Sequence, residues 1–479
     1  MQELVREIPP KADDLSEWYQ AVCYKAELVS LSPVRGCVVL RPYGFGMWER
    51  LQTELDRRFK ATGHENAYFP LLIPESLLAR EAEHVEGFAP EVAWVTHGGG
   101  EKLAERLAIR PTSEVIIGTM YAEWLKSYRD LPILINQWAN VMRWEKRTRP
   151  FLRTLEFLWQ EGHTAHETEL EAADEVTQML EVYREVAEDI VGVPVYKGEK
   201  SASERFAGAT HTYSIEALMP DGKALQAGTS HELGQNFARA YDITFAGRDQ
   251  SEQFAWTTSW GMSWRMLGAM IMVHGDDQGL RIPPKMAPIE VVLVPLNKSG
   301  SSVALDAATA LQAQLRAEFR TKLDGRDLRP GNKFADWDMR GVPLRIVLGE
   351  RDLAAGNVTL VRRDFPPKSD GRETTVALAD VAAKIRELLV DIQAHMFAQA
   401  REYLSSHTLA PATHDEFMAA AKARAGMLDI PWCDRPECEA SIKEATSATS
   451  RNLRPEPVGN VCLGCGEPAK VQAYFAQSY

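Results

Sequence analysis

The sequence predicts a multidomain protein of mixed α/β and α+β class, in three parts: residues 1–282, 283–404 and 405–479. Three observations predict this. Residues 279–288 hold the pair Pro283-Pro284 and read as a linker. Beyond them, strand and helix patterns alternate over roughly 120 residues, as in a small α/β domain. Four of the six cysteines, Cys433, Cys438, Cys462 and Cys465, crowd the end of the chain. The length of 479 residues agrees with about three domains at ~100–200 residues each.

In the first part, Asp14 to Tyr24 reads as a short helix and Cys37 to Leu40 as a strand. Pro42 to Gly46 reads as a turn, followed by an amphipathic helix with Trp48, Leu51, Leu55 and Phe59 on one face and Gly63 at its end. Ala67 to Leu72 reads as a strand interrupted by Pro70, and residues 96–101 as a loop. Ile133 to Trp138 and Trp144 to Trp159 read as two strands joined by a basic loop. An acidic helix spans His166 to Val191, with Val176, Leu180 and Tyr183 on its core face, and short strands follow to about residue 261. Met262 to Val273 is apolar. In the second part, strands Ile289–295 and 344–348 alternate with helices carrying Leu311, Leu315 and Phe319, then Leu378, Val381, Ile385, Leu388 and Ile392.

Charge and composition narrow the function. Hydrophobic content of 45% and charged content of 25% suit a soluble protein with a full core. No stretch reaches the ~18–20 apolar residues of a membrane span, and the charged start, MQELVREIPP, lacks an apolar signal region, so a cytoplasmic protein with no membrane partner is expected. The net charge of −13 argues against a general nucleic-acid binder but leaves room for a specific one with a local basic face. Lys146, Arg147, Arg149 and Arg153 form one such cluster, which also fits a solvated surface.

No phosphate loop and no dinucleotide-binding glycine motif is present. A nucleotide would therefore be held by arginines and aromatics on strands. Arg143 and Glu145, two apart, would share a strand face, with Arg153, Phe157 and Trp159 on the next strand and Arg265 in the second apolar run. A guanidinium matches phosphate or carboxylate in a bidentate way. By spacing alone the same residues also fit a surface ion pair beside core aromatics.

Several segments together resemble the class II aminoacyl-tRNA synthetases, most closely the prolyl-tRNA synthetases of archaeal and eukaryotic type. Gly44 to Pro70 is similar to motif 1, residues 136–163 to motif 2, and Ser259 to Gly268 to motif 3. Residues 110–114 (RPTSE) and 227–231 (AGTSH) are similar to two segments of the proline pocket. The resemblance implies an antiparallel-sheet catalytic domain in 1–282 and a homodimer through motif 1. It implies activation of L-proline with ATP and magnesium (Mg2+), then transfer to the 3′ end of tRNA(Pro). Arg143 and Arg265 would be catalytic. ATP would lie against Arg143, Glu145, Arg153, Phe157, Gln226, Thr229 and Arg265. Proline would lie against Thr112, Glu114, Arg143, Trp159, Glu161, His163 and His231; His163 also fits a packing histidine. The editing insertion of bacterial-type enzymes has no room between Gly162 and Ser259, so misacylated alanine is expected not to be cleared.

The second part resembles the anticodon-binding domain of this class, which makes Phe334, Glu350 and Arg351 candidate anticodon contacts. Phe334 and Trp337 equally fit a core. In the third part, Cys433-x4-Cys438 and Cys462-x2-Cys465 form two thiolate chelates that suit one structural zinc (Zn2+); four unrelated thiols are the alternative. The resemblance extends to Tyr479, whose carboxylate would dock near the active site, whereas physics alone makes Ala473 to Tyr479 a frayed tail. A threonine enzyme, which needs a cysteine in its pocket, is disfavoured because none lies between Cys37 and Cys433.

Overall fold

The computed structural model describes residues 8–84, 92–298 and 300–479. Its centre is an eleven-stranded sheet. From one edge the order is Thr408–Leu409, Met427–Trp432, Val471–Ala476, Thr449–Arg454, Tyr196–Glu199, His211–Leu218, Ala224–Gly234, Trp256–Ser263, Glu156–His166, Ile133–Met142 and Glu65–Asn66. Pairing is antiparallel except at the two outermost strands.

Helix Glu169–Glu185 lies across this sheet. Thr168 and Glu171 close its start as a reciprocal cap, and Val176, Met179, Leu180 and Tyr183 are buried. Helix Arg265–His274 buries nearly its whole length in the same core. Between the motif 2 and motif 3 strands, the described residues are used up by helix Glu169–Glu185, three strands of the main sheet and four small elements, Val186–Ile190, Asn236–Tyr241, Thr244–Ala246 and Glu252–Phe254.

Four local expectations change. Residues 96–101, expected as a loop, belong to the paired strands Trp94–Gly98 and Glu101–Ile109 apart from a turn at Gly99 and Gly100. Pro42 starts helix Pro42–Ala61 and does not form a turn. Proline suits a first helical turn, where its missing N–H is not needed. Gly44 belongs in that helix because a Cβ there would lie 2.4 Å from the Leu28 carbonyl oxygen. The strand expected at Ala67 to Leu72 is two short strands, Glu65–Asn66 and Leu72–Pro74, because Pro70 has no donor for the ladder. The second motif 2 strand begins at Glu156, not Trp144. Residues 143–155 form a loop with Phe151 at φ 59°, so Arg143 and Glu145 share a direction through the loop and not through a strand face. Leu155 closes this loop. Its side chain packs on Gly36, where a Cβ would approach its Cγ to 2.7 Å, and its N–H donates to the Gly36 carbonyl at 3.0 Å.

The second body is a five-stranded sheet ordered Thr321–Leu323, Val291–Leu296, Leu344–Gly349, Asn357–Arg362 and Glu373–Ala377. Its first three strands are parallel and the last two antiparallel. Arg363 clamps it to the first body through both oxygens of Asp276, at 2.9 and 2.6 Å. Helix Val381–Ser406 then runs to the third part without a break.

The third part contributes four strands to the main sheet; Leu453 pairs with Glu199 across the seam. The frayed tail is overturned. Val471–Ala476 is an interior strand with Ala473, Tyr474, Phe475 and Ala476 buried, and the Tyr479 N–H donates to the Ala224 carbonyl at 3.2 Å.

Candidate active site and metal centre

Strand alternation brings Phe157, Trp159, Glu161 and His163 to one face of Glu156–His166. Neighbouring strands add Gln226, Thr229 and His231 on one side and Ser259 and Gly261 between. Thr112 and Glu114 enter from the start of helix Glu114–Trp124. Together with Arg143 they line a cavity of about 250 Å³. Every residue expected to contact proline is there. Gln226 and Thr229, expected on the ribose side of ATP, line this same cavity.

Glu161 is the hub. One oxygen accepts the Ser113 N–H at 3.0 Å and meets His163 Nε2 at 3.1 Å; the other accepts Gln137 Nε2 at 2.9 Å. The Thr112 hydroxyl donates to Glu114 and lies 3.3 Å from Glu161. Burial alone would raise the Glu161 pKa, but the bond from His163 and its other donors hold it below the usual value. Burial likewise opposes charge on His163, yet the bond to Glu161 and the fields of Glu114 and Glu161 raise its pKa. Each thus favours the charged form of the other, and with Glu114 beside them the wall offers carboxylate oxygens to an ammonium group.

His231 is the opposite case. Burial, then the fields of His163 and Lys200, pull it down to about 3, so it is neutral at working pH. Its Nδ1 meets the Thr212 hydroxyl at 3.0 Å and its ring lies 4.7 Å from Phe206.

A second cavity of about 50 Å³ adjoins the first, lined by Arg143, Glu145, Arg153, Phe157 and Arg265. Arg143 borders both. Its Nε donates to the Pro111 carbonyl at 3.0 Å, and its guanidinium lies 5.4 Å from the Phe157 ring and 5.3 Å from Trp159. Arg265 donates Nε to the Leu152 carbonyl at 3.1 Å. Burial, then Arg143 and Arg153, bring its pKa down to about 10. Like charges lining one cavity favour an anion between them.

Sequence reasoning missed Glu204, Phe206, Thr212 and Ser259 in the larger cavity. The one signal was Phe206, the only aromatic in 201–209, a run otherwise of small and polar residues. In the second body Phe334 is half-buried against Val292, Val294 and Trp337, with Arg345 4.3 Å over its ring. Trp337 is a core residue whose indole donates to Asp324 at 2.8 Å. Asp338 pairs with Arg345 at 2.9 Å and Arg372 at 3.1 Å. Glu350 accepts the Lys298 N–H at 3.0 Å, and Arg351 is exposed.

The four cysteine sulfurs lie within 4.8 Å of one another, with Cys433 to Cys465 at 3.6 Å and Cys438 to Cys462 at 3.8 Å. A zinc tetrahedron with bonds of about 2.3 Å has sulfur edges of about 3.8 Å, whereas a disulfide needs about 2.05 Å. Gly464 leaves the cradle open: a Cβ there would stand 2.7 Å from Cys438 Sγ. The donor set fits a tetrahedral thiolate metal.

Comparison with known proteins decides the family. Residues 94–274 match the tRNA synthetase class II core domain (G, H, P, S and T), 290–388 an anticodon binding domain, and 414–479 the prolyl-tRNA synthetase C-terminal family. The chain is 52% identical to the "Proline--tRNA ligase" of Symbiobacterium thermophilum, over 99% of both chains. It is 50% identical to that of Natranaerobius thermophilus, over 100% of this chain and 99% of the relative. The chain belongs to the prolyl-tRNA synthetases. These relatives are bacterial, so they do not support the archaeal and eukaryotic grouping that the motifs resemble. Among the described residues, no helix of this synthetase is long and apolar enough to cross a membrane.

The buried histidines set its acid stability. His274, which meets the Val191 carbonyl at 3.3 Å, is pulled by burial down to about 4. Below the ordinary value of 6.5, the unfolded chain takes up protons that folded His231 and His274 refuse. Stability therefore falls with pH by about 1.4 kcal/mol per unit for each group. His163 has the opposite sign: its contribution is full below 6.5 and lost as pH rises through its folded value. The urea midpoint should drop steeply between pH 6 and about 4.5, and His274→Gln should flatten that slope by about 1.4 kcal/mol per unit. An unchanged slope in the variant would contradict the assignment.

Proposed function

We infer that the chain ligates L-proline to tRNA(Pro), with proline in the larger cavity and ATP lying against the residues that line the smaller one. The observation that supports this most is Arg143, one guanidinium bordering both cavities. Proline's carboxylate attacks the α-phosphate of ATP, a carboxyl–phosphate bond forms, and pyrophosphate leaves. The nucleophile is already an anion, so no general base is required; alignment and charge neutralisation do the work. Arg143 holds the carboxylate and the α-phosphate together. Arg265 meets the outer phosphates, Phe157 stacks on adenine, Glu145 takes its amino edge, and Arg153 closes the loop side. Gln226 and Thr229 reach the ribose from the larger cavity. ATP enters with magnesium, which neutralises phosphate charge.

Proline's secondary ammonium carries two hydrogens, and Thr112, Glu114 and Glu161 offer acceptors for them. Trp159, His163 and neutral His231 shape the ring side. The terminal ribose hydroxyl of tRNA(Pro) then attacks the mixed anhydride and AMP departs.

We assign 1–282 to catalysis, 283–404 to the anticodon through Phe334, Glu350 and Arg351, and 405–479 to a structural zinc held by Cys433, Cys438, Cys462 and Cys465. A cytoplasmic homodimer is the working form. The layout of archaeal and eukaryotic type rests on the short path between the motif 2 and motif 3 strands and on the cysteine module.

ATP–pyrophosphate exchange with each of the twenty amino acids tests the reading. Proline should exceed all others by far. Preference for another amino acid would discard the roles of Thr112, Glu114 and His231, and no exchange with folded protein would overturn the activity.

A further inference from the structure

Residues 200–210 join strand Tyr196–Glu199 to strand His211–Leu218 and carry Glu204 and Phe206 into the larger cavity. Their start is tied to the catalytic sheet by the Lys200 N–H, which donates to the Thr212 carbonyl at 2.7 Å, and the next side chain takes its partners from the cysteine module. The Ser201 hydroxyl donates to Glu439 Oε2 at 2.8 Å. The other Glu439 oxygen accepts the Ser450 N–H at 2.9 Å, and the Ser450 hydroxyl meets that of Ser201 at 2.9 Å. Glu439 stands on helix Pro436–Thr446, next to Cys438.

A second strut runs alongside. Arg451 grips both oxygens of Glu216 at 3.2 and 3.1 Å, Lys200 Nζ donates to the same carboxylate at 3.0 Å, and Arg451 Nη1 lies 3.8 Å from Glu204. Lys200, Ser201, Glu216, Glu439, Ser450 and Arg451 are each 3% exposed or less, so water does not compete for these bonds. The far end reaches the cavity: Phe206 N–H donates to Thr212 Oγ1 at 3.1 Å, the hydroxyl that also meets His231.

We propose that Glu439 and Arg451 are positioning residues for the amino-acid pocket, holding the 200–210 turn so that Glu204 and Phe206 form one wall of it. The cysteine module is thus part of the pocket's framework, and order at Cys438 is passed to the pocket through Glu439. The kinetic part of this proposal rests on the assignment of the larger cavity to proline.

Glu439→Ala should raise KM for proline about tenfold, as expected for losing hydrogen bonds to a buried carboxylate, while KM for ATP stays within about twofold and kcat within about threefold. Glu439→Gln, which keeps an acceptor for one of the two donors, should lie between. Trypsin cleavage after Arg205, followed without substrates, should quicken in Glu439→Ala and in the milder Ser201→Ala, which serves if the first variant does not fold. An unchanged proline KM and cleavage rate in folded variants would overturn the proposal, as would KM values for proline and ATP rising by the same factor. If cleavage responds but wild-type exchange ignores proline, the cavity assignment falls and the strut stands.

Discussion

Arg143→Ala lowers proline-dependent ATP–pyrophosphate exchange by about a thousandfold or more, with the fold intact. The reason is the position of one side chain. Arg143 spends its Nε on the Pro111 carbonyl, which fixes the guanidinium plane and leaves its remaining donors for ligands. The rings of Phe157 and Trp159 lie 5.4 and 5.3 Å from it and favour that position. Among the described residues, no other cation borders both cavities. Removing it costs the alignment of two substrates and the neutralisation of charge in the transition state together, and these multiply. Arg143→Lys keeps the charge but loses the fork, so it should recover only part of the rate. Both KM and kcat are to be measured beside the thermal midpoint. A loss of less than about tenfold in a folded Arg143→Ala variant would remove Arg143 from the centre of the mechanism.

The second large effect is on stability. Cys438→Ser, or chelation of the wild-type protein, should strip the metal and destabilise the chain by about 5 kcal/mol or more. Cys433, Cys438 and Cys462 sit inside an apolar cluster with Trp432, Ile442 and Phe475, so losing the ion leaves buried thiols with no cation to face. The damage does not stay local, since the module's strands continue the catalytic sheet. Metal analysis should give one zinc per wild-type chain and close to none for Cys438→Ser. A zinc-free wild-type chain with an unchanged melting temperature would end the structural-metal reading. The same variant should loosen the turn at 200–210, because Cys438 and Glu439 share a helix.

The sequence by itself carried most of the chemistry. Residues that must stand two apart on one strand face, such as Phe157, Trp159, Glu161 and His163, are legible because strand alternation is a local rule. The cysteine pairs are legible for the same reason: each chelate is closed within a few residues. The resemblance of the motifs then joined Thr112, Arg143, His231 and Arg265, which no local rule connects. Where local rules competed, the reading slipped. Pro42 and Gly44 carry turn chemistry, yet a buried helix face and the nearness of Leu28 decided for a helix. Trp144 to Leu155 has strand-forming residues, but the chain there bends to bring Arg143, Glu145 and Arg153 around one cavity.

Tertiary structure alone decided what depends on distant segments meeting. Ser201 and Glu439 are 238 positions apart, and nothing in either neighbourhood announces the other. The same holds for Leu453 pairing with Glu199, which makes the cysteine module an extension of the catalytic sheet and buries a tail that composition alone would leave frayed. The sequence determined which groups share one strand face and which cysteines pair, because those spacings follow from short-range geometry. The packing that makes His231 neutral, draws the Glu161 pKa down and the His163 pKa up, and sets Arg143 at two cavities comes only from strands brought together across the whole chain.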